Sequence, residues 1–290
     1  MLPEDFIHPE DAKALKALRA IPGLSALVKA FMNIGWEQQR TGLNLATKVR
    51  LSPTQLPHLY NLLPPICEKL QIQEPAFFLE LNPFPNAEAF GDTQVNITIN
   101  SGLVDMATED ELRAVIAHEC GHIACHHMLY HSIASMIIHY SERASALLNF
   151  ISEPLKYALC YWERKSELSC DRAAAYAVGP QATASMLSRL AGGPKAITKD
   201  LNLEELAAQA DEYDALCKAG LWNKTLQTLA VLNEDHPYVS VRLREMLLWS
   251  KSEAYKRLTQ EPVAGKTCLR CHQPVESDWR FCQHCGQQLQ

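Results

Sequence analysis

Residues 114 to 131, AVIAHECGHIACHHMLYH, place five histidines in eighteen positions. His118 and His122 are four apart with Glu119 directly after the first, an H-E-x-x-H pattern. On a helix, positions i and i+4 share a face one turn apart, so both imidazoles reach one ion, with zinc–nitrogen bonds of about 2.0–2.1 Å. Glu119 then stands beside the ion without ligating it, placed to take a proton from a metal-activated water. His126 continues the spacing, but it lies about 12 Å along the axis from His118 at ~1.5 Å per residue, too far to share the ion on a straight helix. The metzincin variant would need a glycine at 125 and a histidine at 128; those positions hold Cys125 and Met128. The third ligand is therefore expected from another element. His126, His127, His131 and His139 are read as surface or packing residues, with His126 also a candidate for the surroundings of the ion.

The best supplier is WERKSELSCDRAAAYAVG (162–179), where Glu163, Glu167 and Asp171 recur every four residues on one helical face. A helix crossing the first offers one carboxylate to the metal and a second to orient a ligating imidazole, which metal-bound histidines commonly require. The competing reading is a solvated acidic stripe paired with Arg164 and Arg172. Further on, NEDHPYVSVRLREM carries His236 and Arg242, either near the site or ordinary surface residues.

A second cysteine-based chemistry occupies the last 25 residues. Cys268, Cys271, Cys282 and Cys285 form two C-x-x-C pairs with ten residues between them. Four thiolates so spaced close a tetrahedral structural zinc site with no open position. So short a segment has no core of its own, and zinc supplies its folding energy. Lys266, Arg270 and Arg280 against Glu276 and Asp278 leave the ribbon at +1, too little to favour nucleic acid. Trp279 and Phe281 form either a protein-binding edge or, the preferred reading, the ribbon's own small core; His272 and His284 are assigned no role. The other six cysteines, Cys67, Cys120, Cys125, Cys160, Cys170 and Cys217, sit singly among apolar neighbours and read as small buried hydrophobes.

The elements that must hold these groups are mostly helical. Thr108 with Glu111 three residues on forms a capping box for a helix starting near 109 and running through the histidines. Amphipathic patterns also span 11–31, interrupted at Ile21-Pro22-Gly23, then 52–72, 133–178, 203–232 and 238–258. Two strands are expected, at 75–81 and 93–100. In the second, Val95, Ile97 and Ile99 alternate with Asn96, Thr98 and Asn100, the period-two pattern of one buried face, its polar face left free to meet a ligand.

The chain of 290 residues is 47% apolar with a net charge of −6, which gives no electrostatic reason to expect nucleic acid. No stretch reaches the ~20 apolar residues of a membrane span; the nearest, Ile133 to Ile151, is broken by His139, Glu142 and Arg143. With no secretory leader in MLPEDFIHPE, a cytoplasmic location with reduced or metal-bound thiols is expected.

Together NAEAFG (86–91), ITINSGLV (97–104), EDELRAVIAHECGHIACHH (109–127), ERKSELSCD (163–171) and HPYVSVRL (236–243) resemble the HtpX and CAAX-prenyl-protease-like zinc metallopeptidases, gluzincins of peptidase family M48. The resemblance covers most of 50–245. It implies an α+β fold, a mostly helical zincin-like metallopeptidase with a small twisted sheet, here followed by a small zinc ribbon. It makes Glu167 the third zinc ligand, Asp171 the carboxylate that orients a histidine, and Glu163 a helix-face residue. It makes the strand carrying Val95, Asn96, Ile97 and Thr98 an edge that pairs with an extended substrate. It also places His236 and Arg242 at the oxyanion, or His236 as a cap on the metal. Membrane-bound relatives carry spanning helices absent here, so the apolar segment before Pro154 is read as a hairpin over the site or against a membrane surface, or as core packing.

The expected organisation is a metallopeptidase domain at 1–258 (N-terminal helices 1–72, catalytic core 73–250), a linker at 259–266 and the ribbon at 267–290. The expected function is zinc-dependent endopeptidase action on protein or peptide substrates, with one catalytic and one structural Zn2+; relatives suggest protein quality control. The alternative is a zinc-bound scaffold recruiting partners through the ribbon, against which the intact Glu119 argues.

Overall fold

Three helices open the chain: α1 (Pro9–Arg19), α2 (Leu24–Asn33) and α3 (Trp36–Thr47). In this computed structural model the described residues are 5–33, 35–139, 153–220 and 238–259, with 266–267, 270–271, 274–275 and 279–288 in the tail. The break at Ile21-Pro22-Gly23 falls between α1 and α2, where Gly23 has φ +95°. Leu18, Leu24, Leu27, Phe31 and Trp36 from these helices enter one apolar cluster with Ile133, Leu155, Leu159 and Trp162.

The sheet is assembled from β1 (Val49–Arg50), β2 (Ala76–Glu80), β3 (Ala87–Phe90) and β4 (Asn96–Asn100), with the short helices α4 (Pro57–Tyr60) and α5 (Leu63–Leu70) between β1 and β2. Its order is β1-β2-β4-β3. β4 runs parallel to β2, with Phe77 opposite Ile97, and antiparallel to β3, with Ala89 opposite Ile97. This corrects the expectation that the strand of Val95, Asn96, Ile97 and Thr98 is an edge. Both its flanks are paired, Val95 precedes it, and the edges are β1 and β3. The alternation is real, but the polar face is buried rather than open to a ligand. Asn96 Nδ2 donates to Gln94 O and Thr41 Oγ1, Lys48 Nζ donates to Thr98 Oγ1, and Asn100 Nδ2 donates to Phe84 O.

After α6 (Ser101–Met106), the helix α7 (Glu109–Ala124) begins at the expected capping box. Thr108 Oγ1 accepts from Glu111 N at 3.4 Å, and Glu111 accepts from Thr108 N at 2.8 Å. Then come α8 (Met128–His139), α9 (Glu153–Val178), α10 (Pro180–Gly192), α11 (Lys195–Thr198), α12 (Leu203–Lys218) and α13 (Val239–Ser250). Pro154 lies in the first turn of α9, where its missing N–H costs no helical bond. The middle of the apolar segment before it, 140–152, lies outside the described residues, as does 221–237. Among the described residues no helix is long and apolar enough to cross a membrane.

The first compact unit ends at Lys251, seven residues before the expected boundary. Helix α14 (Glu253–Thr259) and the hairpin of β5 (Lys266–Thr267) with β6 (Pro274–Val275) belong to the second unit.

Candidate active site

α7 and α9 cross closely because a glycine stands at the crossing. A Cβ on Gly121 would lie 2.9 Å from Cys170 Cα and 3.1 Å from Ala173 Cβ. At that crossing α9 presents Cys170 and Ala173, both fully buried. That contact lets the second helix set its carboxylates against the two imidazoles of the first.

Glu167 and Asp171, one turn apart on α9, both face His118. His118 Nε2 lies 3.3 Å from Glu167 Oε2, and His122 Nε2 lies 3.3 Å from Glu167 Oε1. Each separation is close to the edge of a tetrahedron with ~2.0–2.1 Å bonds, about 3.3–3.4 Å, with the two nitrogens meeting different oxygens of the one carboxylate, which makes Glu167 a candidate third donor. Cys170 Sγ also falls within 4.8 Å of ligand nitrogens of His118 and His122. Burial first, then nearby Cys125 and Glu167, push that thiol well above its ordinary pKa, whereas the Arg242 guanidinium outweighs burial and holds Glu167 well below the usual carboxylate range, so charge favours the carboxylate.

The second carboxylate, Asp171, meets His118 Nδ1 at 3.0 Å, fixing the ring so that Nε2 faces Glu167. Arg242, from α13, locks it there: Nε donates to Asp171 Oδ2 at 2.8 Å and Nη2 to Oδ1 at 2.7 Å, while Nη1 lies 2.9 Å from Glu167 Oε2. Arg242 is 2% exposed. Arg242 also lines the cavity beside His118 and Glu119, and its Nη1, though close to Glu167, makes no hydrogen bond among the described residues. His236 lies outside the described residues.

The charges follow from these contacts. Burial opposes ionisation of Glu167 and Asp171, but the Arg242 guanidinium outweighs it and holds both below the usual carboxylate range. Burial likewise opposes a charge on His118, yet the Glu167 carboxylate, then the Asp171 hydrogen bond, lift it to about 10. His122 goes the other way: burial, then the neighbouring His131, hold it well below an ordinary histidine.

Glu119 is buried on the same helix face, and its Oε2 accepts from Ala89 N at 2.7 Å. The β3 edge therefore faces Glu119 directly. A cavity of about 20 Å³ beside it is lined by Ala87, Leu103, Val115, Met186, His118 and Glu119.

Of the remaining histidines, His126 is exposed, while His127 and His131 pack around His122. The signal for this was local. His126 adopts φ +57° and His127 N donates to His122 O at 2.9 Å, the closing bond of a Schellman-type stop. It redirects the chain into α8, whose first turn brings His131 against His122. The acidic stripe is not solvated: Glu163 pairs with His131 Nδ1. Asp11, which sequence reading passed over, is 1% exposed. It accepts from Trp162 Nε1 at 3.0 Å and Ser169 Oγ at 2.5 Å, and meets His127 Nε2 at 3.0 Å.

In the tail, Cys271 and Cys282 have sulfurs 3.6 Å apart, and Cys271, Cys282 and Cys285 cluster within 4.8 Å. The tetrahedral sulfur–sulfur edge for ~2.3 Å zinc bonds is about 3.8 Å, so these thiols fit an ion; Cys268 lies outside the described residues. Trp279 packs against Cys282, but Phe281 is 58% exposed rather than in the ribbon's core.

A helical domain with a small mixed sheet, whose H-E-x-x-H helix meets a glutamate and an orienting aspartate on a crossing helix, defines a zinc metalloprotease. Residues 62–250 match the family model described as Peptidase family M48. The chain is 35% identical over 260 residues to the plastoglobule-localized metallopeptidase 48, chloroplastic, of Arabidopsis thaliana, a match covering 88% of this chain and 75% of that one. It is 25% identical over 223 residues to a protease HtpX homolog of Moorella thermoacetica, covering 67% and 72%. With protease HtpX homolog 1 of Sulfolobus acidocaldarius it shares 37% identity over 67 residues, 22% of each chain. No solved structure matches this chain. The chain belongs to peptidase family M48.

Proposed function

We propose that this protein is a zinc endopeptidase acting on extended segments of protein substrates, with His118, His122 and Glu167 as the zinc ligands. The observation that carries this reading is the pair of 3.3 Å separations joining both Nε2 atoms to one carboxylate. When bound, the ion supplies Lewis-acid polarisation of the scissile carbonyl and lowers the pKa of coordinated water toward ~7. Asp171, held by Arg242, keeps His118 in the tautomer that presents Nε2. Glu119 takes the proton of the attacking water as its oxygen adds to the carbonyl carbon, then gives it to the amine nitrogen as the C–N bond breaks.

The substrate backbone adds to β3, whose Ala89 N–H points at the site rather than at β4. Leu103, Val115 and Met186 line the apolar side of the small cavity beside Glu119. A cavity of about 20 Å³ suits one or two water-sized groups, a single water needing roughly 10–15 Å³. The tail binds a second, structural zinc through Cys268, Cys271, Cys282 and Cys285. A scaffold role is not supported, because such a protein has no use for a buried general base aimed at the edge strand.

Glu119→Gln tests the assignment. The variant is expected to keep its zinc and lose hydrolysis of an unfolded protein by about 10²–10⁴-fold, the usual worth of a positioned base. Undiminished hydrolysis would reject it.

A further inference from the structure

His118 and His122 are secured in different ways. His118 Nδ1 meets Asp171, whereas His122 Nδ1 is buried with no hydrogen-bond partner among the described residues. A ligating imidazole ordinarily donates that N–H to an acceptor, which fixes the ring. Torsion about the bond to an imidazole is broad, so an untethered ring can swing Nε2 out of line.

Two other rings pack against His122. His131 stacks on His122 at 4.1 Å between centroids and 28° between planes, and His127 meets it edge-on at 5.6 Å and 67°. Each is itself tied down, His131 to Glu163 and His127 to Asp11. The left-handed residue His126 makes this possible by turning the chain after α7, so that His131 in the first turn of α8 reaches His122.

We propose that His131, anchored by Glu163, is a positioning residue that fixes the ring plane of His122 by stacking, in place of the missing acceptor. The proposal rests on the reading of His118, His122 and Glu167 as the metal ligands. His131 touches neither ion nor substrate in this role; it narrows the orientations open to His122, so that the second nitrogen ligand is preorganised before the ion arrives.

The test compares wild type, His131→Ala, His131→Phe and Glu163→Ala in the full chain. Zinc affinity is read by chelator competition, and ligand geometry by the visible bands of the cobalt-substituted protein. The sulfur-to-metal absorption of the cysteine site reports the tail separately. His131→Ala is expected to weaken binding at the histidine site about 10–100-fold, the usual cost of losing a partner that orients a ligand, and to shift the cobalt bands. His131→Phe retains a flat ring and should recover most of the affinity. Glu163→Ala should fall between, because the ring remains but is no longer held.

A role in packing alone would lower the melting temperature of the metal-free protein and leave the cobalt bands in place. Wild-type affinity and bands in His131→Ala would overturn the proposal, as would a loss in His131→Phe equal to that in His131→Ala. If His131→Ala does not fold, the Phe and Glu163 variants decide. Wild-type protein that loads no ion on its histidines would instead overturn the ligand assignment beneath it.

Discussion

Replacing Arg242 with Met removes a cation whose donors meet two carboxylates at 2.7–2.9 Å, every partner being at most 3% exposed. In the metal-free protein His118 is protonated, so His118, Glu167, Asp171 and Arg242 sum to zero, and the variant is left at −1 in a buried site. Breaking a buried ion pair on one side costs about 3–5 kcal/mol. For a domain of this size that is a fall of about 6–20 °C in melting temperature, at ~2–4 °C per kcal/mol. Zinc reverses the balance. With the ion bound and His118 neutral, the wild-type cluster stands at +1 and the variant at zero, so loading should stabilise Arg242→Met more than wild type and narrow the gap. The assay is thermal unfolding of both proteins with chelator and with excess zinc. A metal-free variant melting within a degree or two of wild type, or a gap that zinc does not narrow, would refute the reasoning.

Zinc binding at pH 7 should release about one proton, because His118, lifted to about 10 without metal, must become neutral to ligate. Apparent affinity should then rise about tenfold per pH unit in this range, and calorimetry in buffers of different protonation enthalpy would show it; zero protons released would contradict it. Gly121→Ala should cost roughly 1–3 kcal/mol by overpacking, since the new methyl falls 2.9 Å from the Cys170 backbone. It should also weaken zinc binding by moving Glu167 away from both nitrogens, and unchanged melting and affinity would show that the helices do not need this contact.

The parts legible in the sequence were those set by helical periodicity. Four-residue spacing put His118 with His122 and Glu167 with Asp171, and the capping box fixed where α7 begins. The choice of Glu167 over Glu163 needed the family resemblance, because spacing alone treats the two alike. Alternation identified β4 but not its neighbours. Strand order is set by long-range pairing, and a strand buried on both flanks carries the same pattern as an edge with one buried face. β3 was missed as a strand because Ala87-Glu88-Ala89-Phe90 is short and weak in β-branched residues. The packing of His127 and His131 on His122 follows from one left-handed residue, His126, that no periodicity signals, and Arg242 reaches Asp171 across 71 positions.

The central claim is that two imidazoles from α7 and one carboxylate from α9 surround a single ion. Anomalous diffraction at the zinc edge from crystals of the zinc-loaded protein tests it most directly. The account predicts a peak about 2.0–2.2 Å from His118 Nε2, His122 Nε2 and a Glu167 oxygen. A peak ligated by Cys170 with Glu167 turned away, or no peak between these residues, would contradict it.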